Sequence, residues 1–297
     1  MITVFDPKTV RLHRDRAARA PGQADFLARE AAERLAERLE EVSRRFPLAL
    51  DLGCRNGLMA EALQGRGGIE TLISADPSPA FAVLGPRPSL ALEPEVLPFA
   101  PASFDLVLSA LSLHWVNDLP GALLQLRQAL KPDGLLVVSV LGGETLHELR
   151  GSLMEAEIEE EGGASPRVSP FADGRDLGGL LQRAGFALPV VDSDRVTATY
   201  ADALALMRDL RAMGEANAVA ERRKTFTRRA TLARTAAIYQ ERHGLPDGRI
   251  PASFEIITLT AWAPHESQPK PLRRGSATAR LADALGEIEK PAGEKAP

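Results

Sequence analysis

Apolar positions along the chain change period as they run from the N-terminus. Between Gln23 and Arg45 they recur at helical spacing, which predicts a helix with one buried face. From Phe46 onward, short apolar runs alternate with helical stretches. The runs predict strands at Leu48 to Leu52, Thr71 to Ala75, Ser89 to Glu93, Phe104 to Ala110 and Gly134 to Val140. Helices are predicted over Gly57 to Gly65 and Leu119 to Leu130, the second capped by Asn117 or Asp118 and stopped before Pro132. Five β/α units over Phe46 to Leu141 imply a parallel sheet.

Beyond Leu141 the alternation gives way. The segment "GGETLHELRGSLMEAEIEEEGGASPRVSPFADGRDLGGLLQRAGF" reads as two helical stretches around a Gly/Ser/Pro linker, and a strand-like "PVVDSDRVTATY" follows. More helix then precedes a last apolar strand, "SFEIITLTAWAP". The expected organisation is an N-terminal helical segment (1–45) and a main α/β domain (46–264) with a helical insertion at about 200–245. The tail 265–297 is rich in Pro, Lys, Ala and Glu and is expected to be disordered, save for a short helix at "SATARLADAL".

Composition narrows the function classes. At 297 residues and 44% hydrophobic content, the chain can bury a large core. A net charge of −4 with acids and bases well mixed offers no basic face for nucleic acid. One cysteine, Cys54, excludes an internal disulfide and a multi-cysteine zinc site, and reads as a small turn residue. The opening "MITVFDPKTVRLHRDRAARA" is arginine-rich but carries Asp6 and Asp15 and no long apolar segment. A secretory signal is therefore not expected, and no run approaches the ~20 apolar residues of a membrane span. A cytoplasmic protein, or one on the inner side of an organelle or respiratory membrane, is expected. The five histidines show neither a paired helical spacing nor a facial triad, so no metal site is expected.

Candidate chemistry gathers at strand ends. In "LALDLGCRNGLMAEAL" a strand reaches Asp51, turns at Gly53 and Gly57 and enters a helix, which sets backbone amides beside a ligand at the strand's C-terminal edge. An acid directly before the turn disfavours phosphate and suits an ammonium or a ribose. Asp76, in "LISADPSP", closes the second strand about twenty residues on, where a βαβ nucleotide site accepts ribose hydroxyls. Glu93 or Glu95 after the third strand is placed to receive an adenine amine.

These blocks, with "EVLPFAPASFDLVLSALSLHWVNDLPGALLQLRQALKPDGLLVVSVLG", resemble the class I S-adenosylmethionine-dependent methyltransferases over roughly residues 40–190. The blocks "LPF…SFDLVLS" and "LHWVNDLP" look closest to malonyl-carrier-protein methyltransferases of biotin synthesis and to assembly factors of respiratory complex I. The opening "FDPKTVRLHRDRAAR", "RAGFALPVVDSDRVTATYADALALMRDLRAMGEANA" and "DGRIPASFEIITLTAWAP" resemble the assembly-factor branch. That resemblance implies a Rossmann-like seven-stranded, mostly parallel sheet with a final antiparallel strand and a helical lid late in the chain. It also implies S-adenosyl-L-methionine as cofactor and hydroxylation of an arginine in a complex I subunit. By the same resemblance Asp51 lies near the methionine amino group, Gly53 and Gly57 give the close backbone approach, and Asp76 holds the ribose. Glu93 takes the adenine-binding position, Leu97 and Phe99 line the adenine pocket, and Ser109 to Leu113 wall the methionine end.

Arg55 departs from the family pattern, which has a glycine there to permit positive φ. Either its guanidinium reaches over the pocket to the cofactor carboxylate or an acidic substrate, or it points to solvent. His114 and Trp115 follow the fourth strand, as a general base or pocket wall and as a stacking surface, or else as packing under the next helix. Three activities fit: an enzyme acting on a protein arginine, a carboxyl O-methyltransferase for a small or carrier-bound acceptor, and a non-catalytic cofactor-binding scaffold.

Overall fold

The computed structural model describes residues 3–269 and Gly286. The chain divides into two units, 1–264 and 265–297. In the second, the described part is a turn closed by the Gln268 amide donating to the His265 carbonyl at 3.2 Å. The rest of the tail, with the helix expected at "SATARLADAL", lies outside the described residues.

The first unit opens with two helices, α1 (Pro7–Ala17) and α2 (Phe26–Arg38). Then come β1 (Leu48–Leu52), α3 (Leu58–Leu63), β2 (Thr71–Asp76), α4 (Pro79–Leu84), β3 (Ser89–Ala91) and β4 (Phe104–Ala110). A 3₁₀ turn, Leu113–Trp115, leads to α5 (Leu119–Ala129) and β5 (Leu130–Leu141). The chain continues through α6 (His147–Glu161), α7 (Gly174–Arg183), β6 (Ala187–Tyr200), α8 (Ala203–Met213), α9 (Arg229–His243) and β7 (Ile250–Trp262). Seven strands form one sheet in the order β3-β2-β1-β4-β5-β7-β6. Strands β1 to β5 pair in parallel, and β7 inserts antiparallel to both β5 and β6.

Side chains alternate across this sheet with period two. Leu135 and Val137 of β5 face the layer of α2, α6 and α8, where Leu35, Leu149 and Leu206 pack. Leu136 and Val138 face α5 and α7, against Leu123, Leu126 and Leu181. Each such fully buried aliphatic side chain contributes about 1.5–3 kcal/mol of transfer free energy.

Local chemistry sets the boundaries. Asp118 caps α5 by accepting the Gly121 amide, with Pro120 in the first turn, as its sequence predicts. Three expectations are revised. The helix expected over Gln23 to Arg45 is shorter, running only from Phe26 to Arg38 between Asp25 and Leu39, and residues 7–17 form a separate helix under an Asp6 cap. Strand β3 stops at Ala91, so Glu93 lies beyond the sheet. Strand β5 begins at Leu130 and runs through Pro132. Among the described residues no helix is long and apolar enough to cross a membrane.

Candidate cofactor and acceptor site

The C-terminal ends of β1 and β4 stand side by side where the chain turns outward in both directions, the crevice in which open α/β sheets bind ligands. Gly53 adopts φ +91°, and a Cβ there would stand 2.3 Å from the Ser112 Cβ. Only glycine passes that point. Asp51 is 1% exposed, and neither carboxylate oxygen has a hydrogen-bond partner. Burial, and then the charge of Asp76, push its carboxyl up to about 8, with Arg14 opposing.

That shift carries a stability signature. Between the ordinary value of 3.8 and about 8, the folded chain holds a proton on Asp51 that the unfolded chain has released. Stability therefore falls as pH rises through this window, by at most about 1.4 kcal/mol per pH unit. Asp51→Asn removes the slope. Thermal melts from pH 5 to 9 should show the variant gaining on the wild type as pH rises; parallel curves would rule out the buried, protonated acid.

Asp76 is fully buried and its acceptor capacity is used up. Oδ1 accepts from Arg14 Nε at 3.0 Å and from the Ser78 amide at 2.8 Å. Oδ2 accepts from Arg14 Nη2 at 2.6 Å and from the Arg55 amide at 3.0 Å. Arg14 reaches in from α1 and is itself 1% exposed, with Nη1 unpaired. The expected ribose acid thus already holds a guanidinium. Glu93 is likewise paired with Arg11, one turn earlier on α1.

The other expected residues are placed as follows. Glu95 accepts the Asn117 amide at 2.7 Å. Leu97 is fixed by its amide to Gln125, and Phe99 packs edge-on against Phe104 with ring centroids 4.9 Å apart. Both belong at least partly to the core on the α5 side of the sheet. Ser109 donates its hydroxyl to the Leu52 carbonyl at 2.6 Å, joining the ends of β4 and β1. Gly57 turns at φ +90° into α3. Cys54 is buried in the turn, its thiol pushed up by burial and by the charges of Asp51 and Asp76.

Arg55 does not point to solvent: it is 6% exposed. Its backbone takes φ 49°, the conformation a glycine would ease, while its side chain turns inward. Nη1 donates to the Met213 carbonyl at 2.7 Å and Nη2 to Glu215 Oε1 at 2.5 Å. Glu215 also accepts from His114 Nε2 at 3.1 Å and Trp115 Nε1 at 3.0 Å. Burial works to raise the Glu215 carboxyl, but the hydrogen bond and charge of His114, with Arg55 and Arg14, hold it at about 2. Nε2 donates to that carboxylate, and the other ring nitrogen, Nδ1, is buried and unpaired. Trp115 packs edge-on against Phe5 at 5.2 Å, inside a small cluster with Val10 and Val219. At 8% exposed it is packed into that cluster.

A family model described as Methyltransferase domain matches residues 24–189. The chain is 45% identical, over 97% of its length and 91% of the relative's, to the protein named Arginine-hydroxylase NDUFAF5, mitochondrial, of Danio rerio. It is 38% identical to the malonyl-(acyl-carrier protein) O-methyltransferase of Xylella fastidiosa (strain M23), over 88% of this chain and 89% of that one. The chain belongs to the methyltransferase family. Its fold matches the crystal structure of the YcgJ protein of Bacillus subtilis with a TM-score of 0.53 at 12% identity, covering 78% of this chain and 98% of that one. S-adenosyl-L-methionine is the cofactor of the family, and the partnerless Asp51 beside the glycine turn fits its ammonium end.

Next to the cofactor crevice of this methyltransferase lies a cavity of about 530 Å³, bounded by α1, α6, α8 and the segment after α8. Leu149, Phe171, Met207 and Leu210 give it an apolar wall, and Glu215 lines it too. His114 stands 6.1 Å from Phe171, ring to ring. Arg14 and Glu215 were not among the residues that motif and spacing single out. A weak signal existed for the first: Arg11 and Arg14 are one helical turn apart behind an Asp6 cap. Glu215, just past a helix end, carried none.

Proposed function

We propose that this methyltransferase-family enzyme binds S-adenosylmethionine at Asp51 and the Gly53–Gly57 turn and acts on a protein arginine during assembly of respiratory complex I. It would work on the aqueous inner side of the respiratory membrane. The observation that carries the cofactor reading is Asp51: a buried carboxyl with both oxygens unpaired costs free energy unless a ligand ammonium meets it. When bound, the cofactor supplies an electrophilic methyl group on sulfur. Ser109 to Leu113 wall its methionine end, and Asp76 and Glu93 take the ribose and the adenine amine when Arg14 and Arg11 release them. Leu97 and Phe99 border the adenine with the edges they leave outside the core.

The acceptor occupies the cavity under α8 and α9, which serve as its lid. Glu215 lines that cavity and fixes the His114 ring behind it, leaving Nδ1 as the ring atom free for a proton or a hydrogen bond. The arginine acceptor and the complex I setting are supported by the kinship with proteins named Arginine-hydroxylase NDUFAF5.

One observation favours a second reading, transfer to a carboxylate. Arg16 and Arg211 both line the cavity, and the Arg16 guanidinium is pushed down by burial and then by the charge of Arg211. Two like charges facing one space suit an anionic acceptor. Calorimetric titration with S-adenosylmethionine and S-adenosylhomocysteine tests the cofactor, and a folded chain that binds neither refutes it. Intact-mass analysis then separates the acceptors after incubation with complex I subunits or with malonyl-loaded carrier protein. A mass change located on an arginine of a subunit supports the first reading; a methyl ester on the malonyl group supports the second.

A further inference from the structure

Helix α1 faces two sites at once. Arg11 and Arg14 point from it to Glu93 and Asp76, while His13 and Arg16 line the acceptor cavity. The chain just before the helix is tied to the segment that carries Glu215. Asp6 donates its amide to the Ala218 carbonyl at 2.9 Å, Ala220 donates to the Val4 carbonyl at 2.8 Å, and His13 Nδ1 lies 3.1 Å from the Ala216 carbonyl oxygen. At the end of α8, a Cβ on Gly214 would stand 3.3 Å from both the Ala17 Cβ and the His13 carbonyl. Neither α1 nor this segment can shift without the other.

Asp76 cannot serve α1 and a ribose together. A carboxylate has about four lone-pair sites, and here Arg14 takes two while the Ser78 and Arg55 amides take the others. The backbone amides stay with β2 and its turn. Only Arg14 can yield.

We propose that α1 is an intramolecular occupant of the cofactor site. Cofactor binding requires Arg14 to leave Asp76 and Arg11 to leave Glu93, and the movement of α1 carries residues 216–220 with it while Glu215 stays on Arg55, His114 and Trp115. Filling the cofactor site and shaping the acceptor cavity are then one event. This rests on the reading of Asp76 as the ribose acid. The closed helix lowers apparent cofactor affinity by the fraction of chains in which it is withdrawn.

The test uses the full chain and S-adenosylhomocysteine. Hydrogen exchange at the amides of residues 7–17 and 216–220 should speed up by about tenfold or more at saturation, while the amides at the ends of β1 and β2 slow down. In parallel, Arg11→Gln/Arg14→Gln should bind S-adenosylhomocysteine about tenfold more tightly than the wild type, a coupling of ordinary size. Wild-type binding with α1 as protected as before, or more so, overturns the inference and leaves the cofactor reading intact. Weaker binding by a folded double variant also overturns it, since the arginines would then be cofactor ligands. No binding by the wild type but binding by the variant supports occupancy; no binding by either overturns both readings.

Discussion

Asp76→Ala is expected to lower the unfolding free energy by about 3–5 kcal/mol, the cost of removing one partner from a buried ion pair. The physical cause is what remains behind. Arg14 stays 1% exposed beside Arg55, another buried guanidinium, and loses the carboxylate that faced both its Nε and Nη2. The Ser78 and Arg55 amides lose their acceptor as well, each an unsatisfied donor worth about 1–3 kcal/mol if water cannot reach it. Urea unfolding at neutral pH measures the loss. A decrease below about 1 kcal/mol would mean that Arg14 leaves the interior easily, as surface ion pairs allow. Adding Arg14→Leu to Asp76→Ala should recover part of the stability, because the pair is then replaced by apolar volume.

Glu215→Gln is the second large effect. Glutamine keeps the length of the side chain and removes the charge that Arg55, His114 and Trp115 all address. Its amide nitrogen must also turn toward at least one donor. A loss of about 3–5 kcal/mol is expected at pH 7. The sign of the pH dependence follows from the depressed carboxyl. Its ordinary value is 4.5 and its folded value about 2, so the stabilisation is complete above pH 4.5 and disappears as pH falls toward 2. Wild type and variant should therefore converge on acidification, and a gap that stays constant from pH 7 to pH 3 would refute the charge as its source. Freed from the carboxylate, His114 loses its set tautomer, so turnover should drop by more than cofactor affinity does.

Much of this was legible along the chain. The parallel half of the sheet follows from apolar runs whose length and spacing suit strands alternating with helices, and β1 and β4 begin and end where those runs do. The glycine turn was legible because Gly53 and Gly57 need positive φ, a demand local to the backbone. Asp51 stood out because an acid at a strand end before such a turn has few structural reasons to be there.

What remained hidden depends on contacts between distant residues. Arg14 and Asp76 are 62 positions apart, and Arg55 and Glu215 are 160 apart. No periodicity links them. The arginine at position 55 read either as a group reaching for the cofactor or an acidic substrate or as a surface residue, and its pairing with a carboxylate delivered by the segment after α8 carried no local signal.

By itself, then, the order of residues determined the parallel half of the sheet, the glycine turn and the acids Asp51 and Asp76 at its strand ends, since propensity, period and backbone conformation act over a few neighbours. Only the tertiary structure decided which charges those acids meet. Burial makes an unpaired charge costly, and so the chain brings Arg14, Arg55 and Glu215 together from three separate elements.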